Sequence, residues 1–267
     1  MLLTRLLTAL ALIPLVVAAV LWLPPAGLAV LLALVAAGSA WEWSQFALHP
    51  RRGRLSYALG VGLLAVLLPL QPWLTAVLGC VFWLSMLIWL GVFPRGIRQG
   101  ITQPALRLLI GAALLVLFAA GALAMALEPA GRELILITLV LVWAMDVGGY
   151  FAGKRFGRRR LAPLISPNKS WEGFWGGAVL AAIVAVVAAY GVLGLSGASA
   201  MGFVGLAMVV AMLSVIGDLT ESMFKRQTGI KDSGTLLPGH GGLLDRLDST
   251  YAAMPLMLAG SLLLEAV

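Results

Sequence analysis

The sequence predicts an all-α, polytopic integral membrane protein with about nine transmembrane helices and a cytoplasmic N-terminus. The first observation is composition: 61% of the 267 residues are hydrophobic and 11% are charged, whereas a soluble domain is about half apolar and about a quarter charged. The second is a mean hydropathy of +1.03. The third is arrangement, because the apolar residues form runs of about 20, long enough for a helix to cross a hydrocarbon core roughly 30 Å thick.

The apolar runs are continuous and rich in Leu, Ala, Val and Gly. Strands of a membrane β-barrel would instead show segments of about ten residues in which apolar and polar residues alternate, so helices are the better interpretation. The third run is the shortest. In chain order, spans are expected at about 6–23, 26–48, 55–70, 73–92, 104–127, 133–152, 172–195, 200–217 and 249–266.

Basic residues fall almost entirely on one side of this arrangement. Of the 18 Lys and Arg residues, all except Arg132 lie in the N-terminal segment or in alternate connections. Because Lys and Arg accumulate in short cytoplasmic loops, the N-terminus is expected in the cytoplasm and, with nine spans, the C-terminus outside. Orientation and attraction to anionic lipid headgroups account for most of the net charge of +7, and no nucleic-acid partner is expected.

We divide the chain into two membrane regions. Residues 1–130 form an N-terminal region of about five spans, and residues 131–267 form a C-terminal region that we expect to be catalytic. Two cytoplasmic loops of the C-terminal region, 153–171 and 218–248, are long enough to carry a site. The single cysteine, Cys80, excludes an intrachain disulfide.

The second loop gathers charge and glycine in an otherwise apolar chain. Its first residues continue the eighth span as a helix, on which four polar positions recur at i, i+3, i+4 and i+7 and therefore share one face. These positions are Asp218, Glu221, Ser222 and Lys225. At the other end, Asp245 and Asp248 lie three residues apart at the start of the ninth span.

Between these acidic helix ends lies the sequence PGHGG, residues 238–242. Glycines leave backbone N–H groups accessible, an arrangement suited to phosphate oxygens. Carboxylates beside bound phosphates indicate Mg²⁺, which prefers oxygen ligands. The loop therefore predicts a polyphosphate and metal site, and His240, between glycines and near several carboxylates, is expected to take part.

The first loop adds a second set of polar residues. Asp146 lies roughly 9 Å inside its span at about 1.5 Å per residue, and an ionisable group at such depth is a functional candidate. The nearby Gly148, Gly149 and Gly153 could serve close helix packing as well. The basic run 158–160 is interpreted as a topological and lipid-surface feature, and Glu172 is placed in the first turn of the next helix.

Outside the two loops, Glu42 is the one residue whose role the sequence leaves open. It lies in WEWSQF near the end of the second span. Solvation at the membrane interface and membership of a buried network are equally consistent with that position.

The spacing of the second loop closely resembles the signature of phosphatidate cytidylyltransferases, integral membrane enzymes also called CDP-diacylglycerol synthases. The segments DVGGYFAGKRFG and SPNKSWEG, and the multi-span architecture, are also similar to that family, whereas the first 100 residues carry little diagnostic pattern. In this chain the signature reads Ser222-x-x-Lys225-Arg226-x4-Lys231-Asp232-Ser233-x3-Leu237-Pro238-Gly239-His240-Gly241-Gly242-x-x-Asp245-Arg246-x-Asp248.

The resemblance implies transfer of the cytidylyl group of CTP to phosphatidate, giving CDP-diacylglycerol and pyrophosphate for phospholipid biosynthesis. It implies a Mg²⁺-dependent homodimer in the cytoplasmic (inner) membrane, with Asp218 and Asp245 holding Mg²⁺ and K⁺ as the candidate second cation. The catalytic residues implied are Asp218, Lys225, Arg226, Lys231, Asp245 and Arg246. The substrate-binding residues implied are Asp146, Ser166, Asn168, Lys169, Ser170, Glu172, Glu221, Ser222, Asp232, His240, Gly241, Gly242 and Asp248.

Two other functions remain open from the sequence. Intramembrane acids and glycine-interrupted helices also occur in ion-coupled transporters, although here the polar groups gather on one face of the membrane instead of at its midplane. A kinase or cytidylyltransferase acting on another lipid would use the same chemistry.

Overall fold

The computed structural model describes residues 2–47, 50–68, 70–93, 103–236 and 241–265. A 3₁₀ turn, Ser44–Phe46, follows the second helix, and a π-helical turn, Ala188–Val192, extends the seventh. The α-helices within these ranges are α1 (Leu2–Trp22), α2 (Pro25–Trp43), α3 (Arg51–Leu67), α4 (Pro72–Val92), α5 (Pro104–Leu127), α6 (Gly131–Phe156), α7 (Trp171–Val187), α8 (Gly197–Thr228) and α9 (Leu244–Glu265).

The helices confirm the prediction of a polytopic helical membrane protein. In the described part of the chain, seven helices are long and apolar enough to cross a membrane. Of the other two, α3 has 17 residues, and the apolar part of α1 that can be assessed is Leu12–Trp22. Each predicted span coincides with one α-helix, but the count of nine spans stays a prediction.

Local sequence signals account for several helix ends. Proline occupies the first helical position of α2, α4 and α5, where its missing N–H costs no intrahelical hydrogen bond. Ser170 caps α7, because its Oγ accepts a 3.1 Å hydrogen bond from the Gly173 amide. Gly229, at φ +71°, ends α8 in the left-handed conformation that glycine adopts without strain.

Helix α9 lies in the interior of the bundle. It packs most extensively against α8 and also contacts α4, α5 and α6. Its residues Ala252, Ala253, Met257 and Leu258 are fully buried. Because α9 begins with Asp245 and Asp248, this central packing fixes where those carboxylates lie.

Helices α6 and α7 meet backbone to backbone through glycines. A Cβ at Gly177 would lie 2.4 Å from the Met145 carbonyl oxygen, and one at Gly148 would lie 2.7 Å from the Gly176 carbonyl oxygen. Small residues of this kind allow membrane helices to approach closely. Gly148 was expected either to serve the site beside Asp146 or to allow close helix packing. The structure shows the packing role.

A two-stranded ribbon joins α6 to α7. Strand β1 (Arg160–Ala162) pairs antiparallel with β2 (Ser166–Ser170), with an irregularity in register between Arg160 and Ala162. Residues 153–171 were predicted to be a loop and the ribbon was not expected, since strands of three and five residues are too short to show a clear alternation. The ribbon places four of the predicted substrate-binding residues on one strand.

Arg132, the single basic residue expected on the non-cytoplasmic face, has a structural role. Its guanidinium donates hydrogen bonds of 2.8–2.9 Å to the carbonyl oxygens of Val20, Leu21 and Leu23. These carbonyls belong to the last turn of α1 and the residue just after it, where backbone acceptors lack intrahelical donors. The exception to the charge pattern is thus explained by a helix cap.

Candidate active site

A cavity of about 340 Å³ opens among α6, α7, α8 and the ribbon. One part of its wall is apolar and the other is polar, so the cavity is amphipathic. The apolar wall includes Met145, Leu161, Phe174 and Val215. The polar wall consists of Asp146, Ser166, Asn168, Lys169, Ser170 and Asp218, all of them predicted site residues.

The shortest ion pair of the cavity joins β2 to α8. Lys169 Nζ lies 2.5 Å from Asp218 Oδ2, and both side chains are about one quarter exposed. Asp218 Oδ1 also accepts a 3.0 Å hydrogen bond from Ser222 Oγ, one turn along α8. The predicted polar face of α8 is therefore confirmed at these two positions.

Burial lowers the pKa of Lys169, but the carboxylates around it outweigh burial. Asp218 raises this pKa most, and Asp248 and Asp146 raise it further, so the pKa of Lys169 lies above its ordinary value. The ammonium group is consequently charged at neutral pH. A permanent cation on β2 suits an anionic ligand in the cavity.

A second ion cluster lies where α8 meets α9. Lys225 Nζ lies 2.8 Å from Asp245 Oδ1 and 3.2 Å from Glu221 Oε1. Glu221 is only 2% exposed, so its carboxylate is buried against the cation. A buried charge requires such pairing, because desolvation of an isolated carboxylate is costly.

The two aspartates predicted to share Mg²⁺ thus pair with different lysines. Asp248, three residues after Asp245 on α9, interacts electrostatically with Asp218 and Asp146 of the first cluster and its surroundings and with Glu221 of the second. Among the described residues, no group of three or more His, Cys, Asp or Glu side chains is arranged to hold a metal by itself. Metal binding by Asp218 and Asp245 stays a prediction, which their oxygen-donor chemistry fits.

Backbone amides at the described ends of the glycine-rich loop donate hydrogen bonds to carboxylates of the chain itself. Ser233 N and Gly242 N donate to Asp245 Oδ2 over 3.0 Å and 3.2 Å. Leu244 N donates to Glu42 Oε2 over 2.8 Å. The expected phosphate contacts of Gly241 and Gly242 stay predictions, and residues 237–240, with His240, lie outside the described residues.

The remaining predicted residues lie around these clusters. Arg226 Nε donates to the Ile165 carbonyl oxygen over 3.1 Å and so ties α8 to the ribbon turn. Glu172 accepts hydrogen bonds from the amides of Arg158 and Arg159, which indicates that it shapes the turn before β1. Exposed positions are occupied by Lys231, Asp232 and Arg246.

The sequence profile of the cytidylyltransferase family matches residues 3–263. The chain belongs to this family. It is 44% identical over 265 residues to a phosphatidate cytidylyltransferase of Pseudomonas aeruginosa, covering 97% of this chain and 96% of that protein. A phosphatidate cytidylyltransferase of Haemophilus influenzae is 37% identical over 278 residues, covering 96% of each chain. The resemblance found in the signature is thereby confirmed along almost the whole sequence.

The structure of this cytidylyltransferase-family chain also adds site residues that the signature does not contain, from α2 and from the 3₁₀ turn that follows it. Glu42 is 1% exposed and lies against the loop that precedes α9. The buried network, one of its two expected settings, is therefore the observed one. Gln45 Nε2 donates to the Ser233 carbonyl oxygen and was not singled out by sequence, since no spacing links it to residues so far along the chain.

Proposed function

We propose that this chain is a Mg²⁺-dependent phosphatidate cytidylyltransferase. It transfers the cytidylyl group of CTP to phosphatidate and releases CDP-diacylglycerol and pyrophosphate. The observation that carries the proposal is the amphipathic cavity, in which the cation of Lys169 lies beside an apolar wall. Such a cavity suits a substrate with a phosphate at one end and acyl chains at the other. Two relatives that are similar to this chain over nearly their full length are both named phosphatidate cytidylyltransferase, which supports the same substrates here.

The chemistry requires little from the protein beyond positioning and charge. A phosphate oxygen of phosphatidate attacks the α-phosphorus of CTP in line, the bond from that phosphorus to the bridging oxygen breaks, and pyrophosphate leaves. A phosphate monoester is already largely ionised near neutral pH, so no strong general base is needed. Lys169, Lys225 and Arg226 offset the repulsion between the two anionic substrates and orient their phosphates.

The residues present fit a magnesium ion held jointly by protein and substrate. Asp218 and Asp245 offer carboxylate oxygens, and Mg²⁺ in such enzymes is commonly held by one or two carboxylates together with substrate phosphates. When bound, the ion supplies charge neutralisation at the phosphoryl oxygens. Asp146, Glu221 and Asp248 support this centre or hold a second cation, with K⁺ as the candidate. Lys169 and Lys225, now paired with the aspartates, have triphosphate oxygens as alternative partners.

In the proposed topology, the site lies at the cytoplasmic face of the inner membrane, and the chain has nine spans with its N-terminus in the cytoplasm. The one-sided distribution of basic residues supports this orientation. The substrates agree with it, since CTP is a cytoplasmic nucleotide and phosphatidate a membrane lipid. We also propose a homodimer, on the resemblance to the family alone.

The test is synthesis by the purified protein in detergent. Labelled CTP and phosphatidate are supplied with Mg²⁺ or with EDTA, and labelled lipid is separated from free nucleotide. We expect CDP-diacylglycerol with Mg²⁺ and none with EDTA. A transporter would need an intact membrane barrier and would form no product in detergent, and preferential labelling of another lipid would overturn the assignment of phosphatidate.

A further inference from the structure

A carboxylate from the N-terminal membrane region is buried against the loop that precedes α9. Glu42 Oε2 accepts the amide hydrogen of Leu244 over 2.8 Å, and Oε1 accepts that of Leu236 over a longer 3.4 Å. Leu244 is the first residue of α9, so Glu42 supplies a carboxyl acceptor at a helix N-terminus, where backbone N–H groups lack intrahelical acceptors. One side chain of α2 thus binds both described ends of the loop.

Two glycines allow this close approach. A Cβ at Gly234 would lie 2.1 Å from Glu42 Oε1, and a Cβ at Gly242 would lie 2.8 Å from Glu42 Oε2. Any side chain at these positions would collide with the carboxylate. Part of the glycine content of the loop is therefore explained by contact with Glu42.

A second contact from α2 and its 3₁₀ turn reaches the same loop. Gln45 Nε2 donates to the Ser233 carbonyl oxygen and, over 2.9 Å, to the Glu42 carbonyl oxygen. The amide of Ser233 in turn donates to Asp245. A continuous series of contacts therefore runs from α2 through Ser233 to Asp245 and its ion-pair partner Lys225.

The end of α2 is itself held rigidly. The Trp43 and Phe46 rings lie 4.8 Å and 6.0 Å from the ring of Phe224, the residue before Lys225. Trp43 Nε1 donates to the Arg107 carbonyl oxygen over 2.8 Å, and Arg107 Nη1 donates to the Phe46 carbonyl oxygen over 2.7 Å. Aromatic packing and two hydrogen bonds to α5 thus fix the platform from which Glu42 extends.

We infer that Glu42 is a positioning residue, which holds residues 233–236 and 241–244 so that Asp245 and Lys225 face the substrates. This inference rests on the proposed function, which supplies the reaction that Asp245 and Lys225 serve. Glu42 acts through backbone amides and contacts neither reacting phosphate. The N-terminal membrane region therefore contributes to the active site through α2.

Three variants separate positioning from general stabilisation. Glu42→Ala removes both acceptor oxygens, and we expect kcat to fall about 10²-fold, a loss that misplacing catalytic groups by about 1 Å can cause. Glu42→Gln keeps one acceptor and turns an NH₂ group toward the other amide, so its loss should be smaller. Ser39→Ala is the matched control: it removes the 2.6 Å hydrogen bond from Ser39 to Tyr251, also between α2 and α9, without touching the loop. Its kcat should stay near wild type.

A second measurement does not depend on activity. Amide hydrogen exchange of the purified protein, without Mg²⁺ or nucleotide, should show faster exchange in peptides containing Leu236 and Leu244 for Glu42→Ala. Peptides of the β1–β2 ribbon should be unchanged and serve as the internal control. Ser39→Ala should leave exchange at Leu236 and Leu244 as in the wild type.

Every result of these measurements either supports the positioning role of Glu42 or overturns it. Wild-type kcat or unchanged loop exchange in Glu42→Ala would overturn it, and so would an equal loss of kcat in Ser39→Ala. Should Glu42→Ala fail to fold, Glu42→Gln must show a reduced kcat with faster loop exchange, and wild-type values there would also overturn it. If the wild type itself forms no CDP-lipid, the proposed function fails, while the exchange data still decide whether Glu42 holds the loop.

Discussion

Two lysines at the site are each shared between an aspartate and, in the proposed reaction, a phosphate. Lys169 extends from a strand between α6 and α7, and Lys225 from α8, so they approach the site from different elements. Each contacts its aspartate within 2.8 Å. Charge compensation before substrate binding explains how several carboxylates can lie close together in one membrane protein.

Lys169→Met should lower kcat/KM far more than Arg159→Met. Lys169 lines the cavity and is held by Asp218, whereas Arg159 belongs to the exposed basic run that we interpret as topological. Losing one charge-assisted phosphate contact costs about 1.5–3 kcal/mol, so Lys169→Met should lose roughly 10- to 150-fold. The detergent assay measures both variants, and equal losses would contradict the distinction between site and topology.

Asp218→Asn and Asp245→Asn should each lower kcat/KM for CTP by about 10²-fold, or about 2.7 kcal/mol. Each substitution removes one charge from the proposed magnesium centre and keeps the shape of the side chain. Because both residues serve one centre, the double variant should lose much less than the sum of the single losses. The measurement is kcat/KM across a Mg²⁺ titration, in which Asp232→Asn, at an exposed position outside the proposed metal centre, should have a milder effect.

Near wild-type activity of either single variant at limiting Mg²⁺ would remove that residue from the metal centre. Additive losses would show that the two aspartates act independently. That result would agree with their separate lysine partners in the structure and would contradict a shared ion.

At the scale of helices, the shape of the cavity depends on how closely α6 and α7 approach, because both helices line it. Gly177→Ala should destabilise the protein, because the new Cβ would lie 2.4 Å from a backbone oxygen that cannot rotate away. Overpacking of this kind costs typically about 1–3 kcal/mol. The measurement is the thermal unfolding midpoint in detergent.

Gly205→Ala is the matched control for Gly177→Ala. Gly205 lies on α8 and a Cβ there would contact nothing within 4 Å, so alanine should be neutral or stabilising by up to about 1 kcal/mol through helix propensity. A comparable drop in the unfolding midpoint for both variants would show that glycine flexibility, and not close packing, is needed in these helices.

Helices with a periodic pattern were predictable from sequence, and short or long-range features were not. The polar face at 218, 221, 222 and 225 predicted that α8 continues beyond its apolar span, and α8 does run to Thr228. The ribbon was missed because its strands are short. Glu42 could not be assigned because its hydrogen-bond partners lie 194 and 202 positions away, a separation on which local pattern carries no information.

At the scale of the whole molecule, the two predicted membrane regions meet around α9. This helix of the C-terminal region packs against α4 and α5 of the N-terminal region, and Glu42 of α2 caps its first turn. Helices α2, α4 and α5 of the N-terminal region therefore support the helix that bears Asp245. The division at residue 130 itself stays a prediction.

The orientation of the whole chain can be tested by thiol labelling. The proposed topology puts the α8–α9 loop in the cytoplasm and the α7–α8 connection outside. In a Cys80→Ala background, which removes the single native thiol, Ser196→Cys and Thr235→Cys place one thiol on each connection at exposed positions. Ser196 makes no side-chain cap hydrogen bond, so cysteine should be tolerated there.

In intact cells, a membrane-impermeant maleimide should label Cys80→Ala/Ser196→Cys and leave Cys80→Ala/Thr235→Cys unlabelled until the membrane is permeabilised. The physical reason is the concentration of nearly all basic residues on one face, which retains those loops in the cytoplasm. The Cys80→Ala parent, which carries no thiol and is treated with the maleimide under both conditions, measures the background. Labelling of the position-235 thiol from outside would reverse the topology and separate the site from cytoplasmic CTP, which would contradict the proposed reaction as well as the proposed orientation.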